Sequence, residues 1–150
     1  MGKCLVCARF IRVMPRGERG SPPFSSTPGH TIHADFIGPI QGGRRGHKFI
    51  CSIIDSYSRV ALAWSSRVET SGSLLVALSR WRALHGPFSV LVLDNATYNS
   101  SVVIVRKGQE WGFELIYPPP YRNEAMGLVE HFNYTIVDRL RKMSFAPGRN

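Results

Sequence analysis

The segment Thr31-Ile-His-Ala-Asp35-Phe-Ile-Gly-Pro39 carries the first signal of the fold, because apolar residues recur at every second position from 32 to 36. A period of two is typical of a β-strand with one buried face. Two more strands and two connecting turns are predicted from the residues that follow, with the strands over 47–54 and 59–65 and the turns over 42–46 and 55–58. Asp55 is therefore interpreted as a turn residue rather than as a metal ligand.

The rest of the chain alternates helix and strand signals. A helix over 71–84, ended by His85-Gly-Pro87, is predicted from apolar residues on one helical face, namely Leu74, Leu75, Leu78, Trp81 and Leu84. The uninterrupted apolar run Phe88-Ser-Val-Leu-Val-Leu-Asp94 predicts a strand over 88–93 that is buried on both faces. A helix near 98–111, a strand over 113–117 and a helix from about 127 to 142 complete an α/β order of β-β-β-α-β-α-β-α.

Three carboxylates lie at the edges of these apolar segments: Asp35, Asp94, and Glu130 in Gly127-Leu-Val-Glu130-His-Phe-Asn133. We expect a buried acidic cluster that holds divalent metal, because Mg²⁺ and Mn²⁺ prefer carboxylate oxygens and keep open positions for phosphate and water. Two such ions about 3.5–4 Å apart activate an attacking oxygen and stabilise a leaving one during displacement at phosphorus. The alternative is that each acid is one of ten ordinary acidic residues in a solvated surface.

The chain resembles the catalytic core of retroviral and LTR-retrotransposon integrases, within the polynucleotidyl-transferase superfamily that shares the ribonuclease H fold. The resemblance runs from about residue 30 to residue 143 and depends on motifs that occur in family order: Asp35-Phe-Ile-Gly-Pro39, Ile54-Asp-Ser-Tyr-Ser-Arg59, His85-Gly-Pro87, Leu93-Asp-Asn95, Tyr117-Pro-Pro-Pro-Tyr121 and Gly127-Leu-Val-Glu-His-Phe-Asn133. The chain departs from the family at Ala96, where the family usually has glycine, and at Glu124-Ala125, where it usually has Gln-Ser.

The resemblance implies a ribonuclease H-like fold, with a five-stranded mixed sheet flanked by helices and the first strand beside the fourth. It implies that Asp35, Asp94 and Glu130 are the catalytic and metal-binding residues of two-metal DNA end processing and strand transfer, with Mg²⁺ or Mn²⁺ as the cofactor. The partners that it implies are double-stranded DNA, both element ends and target, and further copies of the chain in a homodimer or higher oligomer. It also implies nucleic-acid contacts before and along the final helix, at Tyr121, Arg122, Glu124, Asn133, Arg141 and Lys142.

Composition agrees with a single globular domain whose partner is an anion. The formal charge is +9 with a pI near 10.1, and 43% of the residues are hydrophobic, which is enough for a core. No apolar run approaches the ~20 residues of a membrane span, and the N-terminus shows no secretory signal. We therefore expect an intracellular protein without a membrane partner, in the nucleus or in a viral or retroelement particle.

The N-terminal region carries a Cys-x-x-Cys pair, Cys4 and Cys7, which is half of a tetrahedral zinc site. Integrases carry a His-His-Cys-Cys zinc module before the core, so the resemblance implies a remnant of that module; a chance pair of thiols is the alternative. Two thiolates do not complete a site, and we expect no tightly bound zinc in this chain alone. The domain prediction is a zinc-module remnant plus a basic, flexible linker over 1–29 and a C-terminally truncated integrase-type core over 30–150.

Two other functions are compatible with the same residues. A ribonuclease H-like nuclease or a DNA transposase core shares the acids, although Gly38-Pro39 and the interval between Asp94 and Glu130 favour an integrase. In a different class, the chain is a decayed or domesticated fragment that binds nucleic acid or a partner without catalysis. Mn²⁺-dependent nicking of DNA separates the enzymes from the binding fragment.

Overall fold

The computed structural model describes residues 27–41, 44–94, 102–117 and 123–144 of the 150-residue chain, with only the backbone described at 44, 123–126 and 144. These ranges contain the elements β1 (Thr31–Ile37), β2 (Phe49–Asp55), β3 (Ala61–Ser66), α1 (Ser71–His85), β4 (Val90–Leu93), α2 (Val102–Trp111), β5 (Glu114–Ile116) and α3 (Asn123–Ser144), with a 3-10 turn at Arg44–Gly46 between β1 and β2. The predicted order of strands and helices is confirmed.

The five strands form one mixed sheet in the order β3-β2-β1-β4-β5. Strands β1, β2 and β3 pair antiparallel, whereas β4 is parallel to both β1 and β5. The prediction that the first strand lies beside the fourth is confirmed by the pairing of Ala34 with Leu93. As a consequence, Asp94 follows β4 directly beside the strand that carries Asp35.

One face of the sheet packs against α1 and forms the main core. Ile32 and Ile53 from the sheet are fully buried against Leu78 and Trp81 of α1. Thr70 begins this helix by accepting a hydrogen bond from the backbone N–H of Ser73. After α2 the chain turns back tightly before β5, so that a Cβ on Gly108 would lie 3.1 Å from the carbonyl oxygen of Phe113.

The opposite face of the sheet is covered by α3, which contacts β1 and β2 and buries Val129 completely. The apolar residues Val129, Phe132, Ile136, Leu140 and Met143 recur along one face of α3 and predict a buried stripe, but this prediction is wrong in its second half, because Leu140 is 37% exposed and Met143 55% exposed. A 22-residue helix is about 33 Å long, and a seven-residue strand is about 23 Å long. The last turns of α3 therefore extend beyond the sheet, and their apolar side chains have no strand to cover them.

Three further expectations can be compared with the elements. Leu84 is 65% exposed rather than buried with Leu78, since at 3.6 residues per turn it lies about 80° around the helix axis from Leu74. Helix α3 begins at Asn123, before the predicted residue 127. The interpretation of Asp55 as a turn residue agrees with its Oδ2, which accepts a hydrogen bond from the backbone N–H of Ser58 at 2.8 Å.

Candidate active site

Asp35 is held on the α3 side of the sheet by two hydrogen bonds, one to each carboxylate oxygen. Its Oδ1 accepts from the backbone N–H of Phe36 at 2.8 Å, and its Oδ2 accepts from Nδ2 of Asn133 at 2.6 Å. The first bond is local to β1, whereas the second crosses from α3. The position of the carboxylate therefore depends on the packing of the helix against the sheet.

Ser52 of β2 completes this arrangement from the neighbouring strand, where it is the register partner of Asp35. Its hydroxyl, which has one proton, donates to Oδ1 of Asn133 at 2.5 Å, and its oxygen also lies 3.2 Å from the backbone carbonyl oxygen of Asp35. Because the amide oxygen of Asn133 accepts from Ser52, the amide NH₂ group is the end that faces Asp35. Ser52 thus fixes the orientation of the group that holds the candidate metal ligand.

The pKa of Asp35 is raised to about 6 from an ordinary value of 3.8. Burial is the largest cause, and the charges of Asp94 and Glu69 add to it, while the hydrogen bonds from Phe36 and Asn133 oppose it. Within the described part of the chain, no basic side chain contributes to this shift. An anionic Asp35 is therefore incompletely compensated by its surroundings.

His33 lies two residues before Asp35 on the same strand and does not supply the missing positive charge. It is completely buried, and neither ring nitrogen has a hydrogen-bond partner among the described residues. Burial, followed by the charge of Arg59, lowers the pKa of His33 to about 4. Its imidazole is consequently neutral at physiological pH.

Glu130 is connected to Asp35 only through α3, by way of Asn133. It lies one turn before Asn133, and residues three apart share a helix face. Its side chain is exposed, in contrast to the predicted buried position. No group of three or more histidine, cysteine, aspartate or glutamate side chains close enough to hold a metal ion is found among the described residues.

The donors that converge at this edge of the sheet nevertheless suit Mg²⁺ or Mn²⁺. Asp35 and Asp94 supply carboxylate oxygens, which these hard cations prefer. Burial, and after it the charge of Asp94, raises the pKa of Asp35, and a cation here would offset both effects. The residues present fit such an ion, and Glu130, one helical turn before Asn133, is a candidate for a further oxygen donor.

The remaining predicted site residues have different placements. Arg141 lines a cleft beside the site, whereas Nζ of Lys142 binds Oδ2 of Asp138 at 2.6 Å within α3. The side chain of Glu124 is not described, and the other predicted positions lie outside the described residues, namely Tyr121, Arg122, Cys4 and Cys7.

Ser52 and Glu69 were not predicted as part of the site. The alternation of β2 indicates which face Ser52 occupies, but its contact with Asn133 depends on the strand register and on the angle of α3. Glu69 lies in the loop before α1, where nothing in the sequence marks it as a neighbour of Asp35.

No family model matches the chain. Among curated proteins, it is 27% identical over 147 residues to the Gag-Pol polyprotein of Koala retrovirus and 28% identical over 149 residues to that of Gibbon ape leukemia virus. Each alignment covers 97% of this chain and 9% of the polyprotein, so the chain spans about a tenth of the length of these relatives.

Solved structures similar to this chain are also retroviral. The chain superposes with a TM-score of 0.73 on a simian T-cell lymphotropic virus intasome solved in complex with PP2A regulatory subunit B56 gamma, at 22% identity over 98% of this chain and 52% of that one. It superposes with a TM-score of 0.63 on the HTLV-2 integrase catalytic core domain in complex with magnesium, in dimeric form, at 20% identity over 77% of this chain and 72% of that one.

The chain has the integrase catalytic core fold. The predicted five-stranded mixed sheet flanked by helices, a ribonuclease H-like architecture, is confirmed. The integrase resemblance stated from the motifs is confirmed by similarity to retroviral proteins in both sequence and structure. None of the helices within the described ranges is long and apolar enough to cross a membrane.

Proposed function

We propose that this integrase-type core catalyses metal-dependent cleavage and strand transfer on double-stranded DNA, with Asp35, Asp94 and Glu130 as the metal ligands. The observation that carries the proposal is the hydrogen bond from Asn133 to Asp35. That bond connects α3 to the carboxylate of Asp35, and Glu130 lies one helical turn before Asn133 on the same helix.

In this proposal, the sheet and helix α3 have different roles in the site. β1 and β4 fix Asp35 and Asp94 side by side, and Asn133 with Ser52 orients the Asp35 carboxylate. Glu130 is exposed on α3, and the proposal requires its side chain to turn toward the metal ions. Bound Mg²⁺ or Mn²⁺ would polarise the phosphodiester and supply an activated oxygen nucleophile.

DNA as the substrate is supported by charge and by similarity. A formal charge of +9 attracts a polyanion, and the relatives are retroviral Gag-Pol polyproteins, which include an integrase. We propose element ends and target DNA as the two substrates, a homodimer or higher oligomer as the working form, and a viral or retroelement particle or the nucleus as the location.

The test is a nicking and strand-transfer assay on duplex DNA with Mn²⁺. We expect Asp35→Asn, Asp94→Asn and Glu130→Gln each to abolish product formation while the variants remain folded by circular dichroism. Glu114→Gln is the matched control, because this exposed glutamate of β5 lies away from the site. Activity that persists in the three variants would refute the assignment of the ligands.

A non-catalytic, nucleic-acid-binding fragment is the second candidate. The observation that favours it is the exposed Glu130 together with the lack of a three-ligand group among the described residues. If wild type and all variants bind DNA but are equally inert with Mn²⁺, this candidate replaces the enzyme.

A further inference from the structure

His33 is a buried polar residue to which the proposed function gives no role. Its side chain is completely buried, and neither ring nitrogen has a hydrogen-bond partner among the described residues. Its neighbours on the two adjacent strands, Ile54 of β2 and Val92 of β4, are apolar and buried. A buried imidazole without a partner is unfavourable, because it loses the hydrogen bonds that it makes with water in the unfolded chain. A polar group in such a position is a candidate for a function.

The position of His33 on β1 is next to the candidate metal site. His33 and Asp35 are two residues apart on one strand, so their side chains lie on the same face of the sheet and their Cα atoms are about 6.6 Å apart. Helix α3 covers that face, because Asn133 of α3 binds Asp35. His33 therefore lies two strand positions before the Asp35 carboxylate, on the side of the sheet that carries α3.

Helix α3 runs in the same direction as β1. Asn133 binds Asp35, and four residues later Val137 lines the cleft beside the site together with Ile37. Four helical residues rise about 6 Å, which is close to the length of about 6.6 Å that two strand residues span. Helix and strand therefore stay side by side over this interval.

Glu130 begins on α3 at a level between His33 and Asp35. It precedes Asn133 by three residues, or about 4.5 Å along the helix, whereas His33 precedes Asp35 by about 6.6 Å along the strand. The Glu130 side chain is exposed and makes no hydrogen bond or ion pair within the described part of the chain. In contrast, each carboxylate oxygen of Asp35 already accepts a hydrogen bond. Glu130 is thus a proposed metal ligand for which the described residues supply no orienting contact.

We infer that His33 is a positioning residue for Glu130: when the glutamate turns toward the metal ions, one ring nitrogen of His33 donates a hydrogen bond to its carboxylate. The inference rests on the function proposed above, and it adds the group that orients the third ligand. A histidine ring carries at least one N–H donor in either charge state. Carboxylates that bind metal are commonly held by a second hydrogen bond of this kind, and the contact also gives the buried ring a partner.

The test is Mn²⁺ binding by the full chain without DNA, measured by isothermal titration calorimetry. His33→Leu keeps a buried side chain of similar size and removes the donor, whereas His33→Gln keeps a donor. We expect His33→Leu to weaken Mn²⁺ binding by about 10- to 100-fold, the usual effect of removing a residue that orients a metal ligand, and His33→Gln to stay within about threefold of wild type. Rescue by glutamine separates an orienting hydrogen bond from simple packing.

Thr31→Val is the matched control. Thr31 is also buried on the same face of β1, but it lies four residues from Asp35, about 13 Å along the strand. Valine has nearly the same shape as threonine, so the Mn²⁺ affinity of this variant should equal that of wild type. Urea unfolding in a chelator verifies the fold: His33→Leu should be at least as stable as wild type, because it removes an unpaired polar group from the interior.

A double-mutant cycle identifies the partner of His33. We expect His33→Leu to weaken Mn²⁺ binding in the wild-type background and to cause no further loss in Glu130→Ala, because the contact is already absent there. The second readout is the ring N–H signal of His33 in NMR spectra, which is assigned by its loss in His33→Gln. Saturating Mg²⁺ should move this proton signal downfield, as a hydrogen bond to a carboxylate does, and Glu130→Ala should show no such movement.

Three results would overturn the inference: equal Mn²⁺ affinities of His33→Leu and wild type, an affinity loss that His33→Gln does not reverse, or an equal loss in the Glu130→Ala background. A His33→Leu chain that is less stable than wild type in the chelator but binds Mn²⁺ equally well would make His33 a packing residue, and would also overturn it. A wild-type chain that binds no Mn²⁺ contradicts the proposed function, whereas Mn²⁺ binding that does not depend on His33 contradicts this inference alone.

Discussion

At the scale of single residues, the ionised carboxylate of Asp35 lowers the stability of the folded chain. Burial and the charges of Asp94 and Glu69 raise its pKa to about 6, although two hydrogen bonds favour the ionised form. The unfolded chain ionises this group near its ordinary pKa of 3.8. The energetic cost is thus fully present above pH 6, where the folded chain also carries the charge, and it disappears as the pH falls toward 3.8.

Asp35→Asn should therefore stabilise the metal-free chain at pH 7.5 and have a much smaller effect at pH 4.5. The gain at the higher pH is up to about 3 kcal/mol, the equivalent of two pKa units, less what the amide loses as an acceptor. Urea unfolding of both proteins at the two pH values measures it. A variant that is less stable than wild type at pH 7.5 would show that the carboxylate is structural.

Ser52 gives a second prediction at this scale, because its hydroxyl orients the amide that binds Asp35. Ser52→Ala should lower the free energy of unfolding by about 1 kcal/mol, the net value of one hydrogen bond. It should also reduce the rate of DNA cleavage by up to about 100-fold, as a misplaced catalytic group does. Ser79→Ala is the control. Among the described residues, the Ser79 hydroxyl donates to the carbonyl oxygen of Leu75 in its own helix, so cleavage by this variant should stay at the wild-type rate. Equal rates in the two variants would contradict the orienting role.

The sequence identified Asp35 as a predicted ligand and Asn133 as a predicted DNA contact. It did not predict the hydrogen bond between them, because that bond joins residues 98 positions apart through the packing of α3. Ser52 was missed for the same reason. Glu69 acts through space from a loop, and no periodicity predicts where a loop charge lies.

At the scale of elements, hydrophobic periodicity was sufficient to predict the order of strands and helices, since each element buries one face or both. It was insufficient to predict burial at the ends of the elements, because there burial depends on how the elements pack together. Leu140 and Met143 continue the apolar stripe of α3 beyond the edge of the sheet. In sequence they cannot be distinguished from buried positions, and Leu140 instead lines the cleft.

The prediction at this scale concerns the stability contributed by Gly38, which follows β1. Gly38 has φ +149°, and a Cβ there would lie 2.6 Å from Cδ1 of Phe49 and 2.7 Å from the carbonyl oxygen of Lys48. Gly38→Ala should therefore destabilise the chain by about 1–3 kcal/mol through overpacking and backbone strain. Gly127→Ala is the control, because no atom of the described residues lies within 4 Å of its Cβ position, and alanine should stabilise the helix by up to about 1 kcal/mol. Equal unfolding midpoints for Gly38→Ala and wild type in urea would contradict this account of the β1–β2 contact.

At the scale of the whole molecule, the candidate site and the cleft share one side of the sheet. The strands supply Asp35 and Asp94, and α3 supplies Asn133, Glu130 and the second wall of the cleft. The proposed metal site and this cleft therefore lie next to each other in the integrase-core fold. The central claim is that the two carboxylates of the sheet and Glu130 of the helix act together on divalent metal.

Crystals of the full chain soaked in MnCl₂, examined by anomalous diffraction, test that claim most directly. The account predicts a Mn²⁺ ion, visible as an anomalous peak, at about 2.1 Å from carboxylate oxygens of both Asp35 and Asp94, the distance for a small hard cation. The Glu130 side chain should be turned toward this ion. The same experiment on Asp35→Asn should show no peak. A wild-type map without a peak at saturating Mn²⁺, or with Mn²⁺ bound only away from Asp35 and Asp94, would contradict the account.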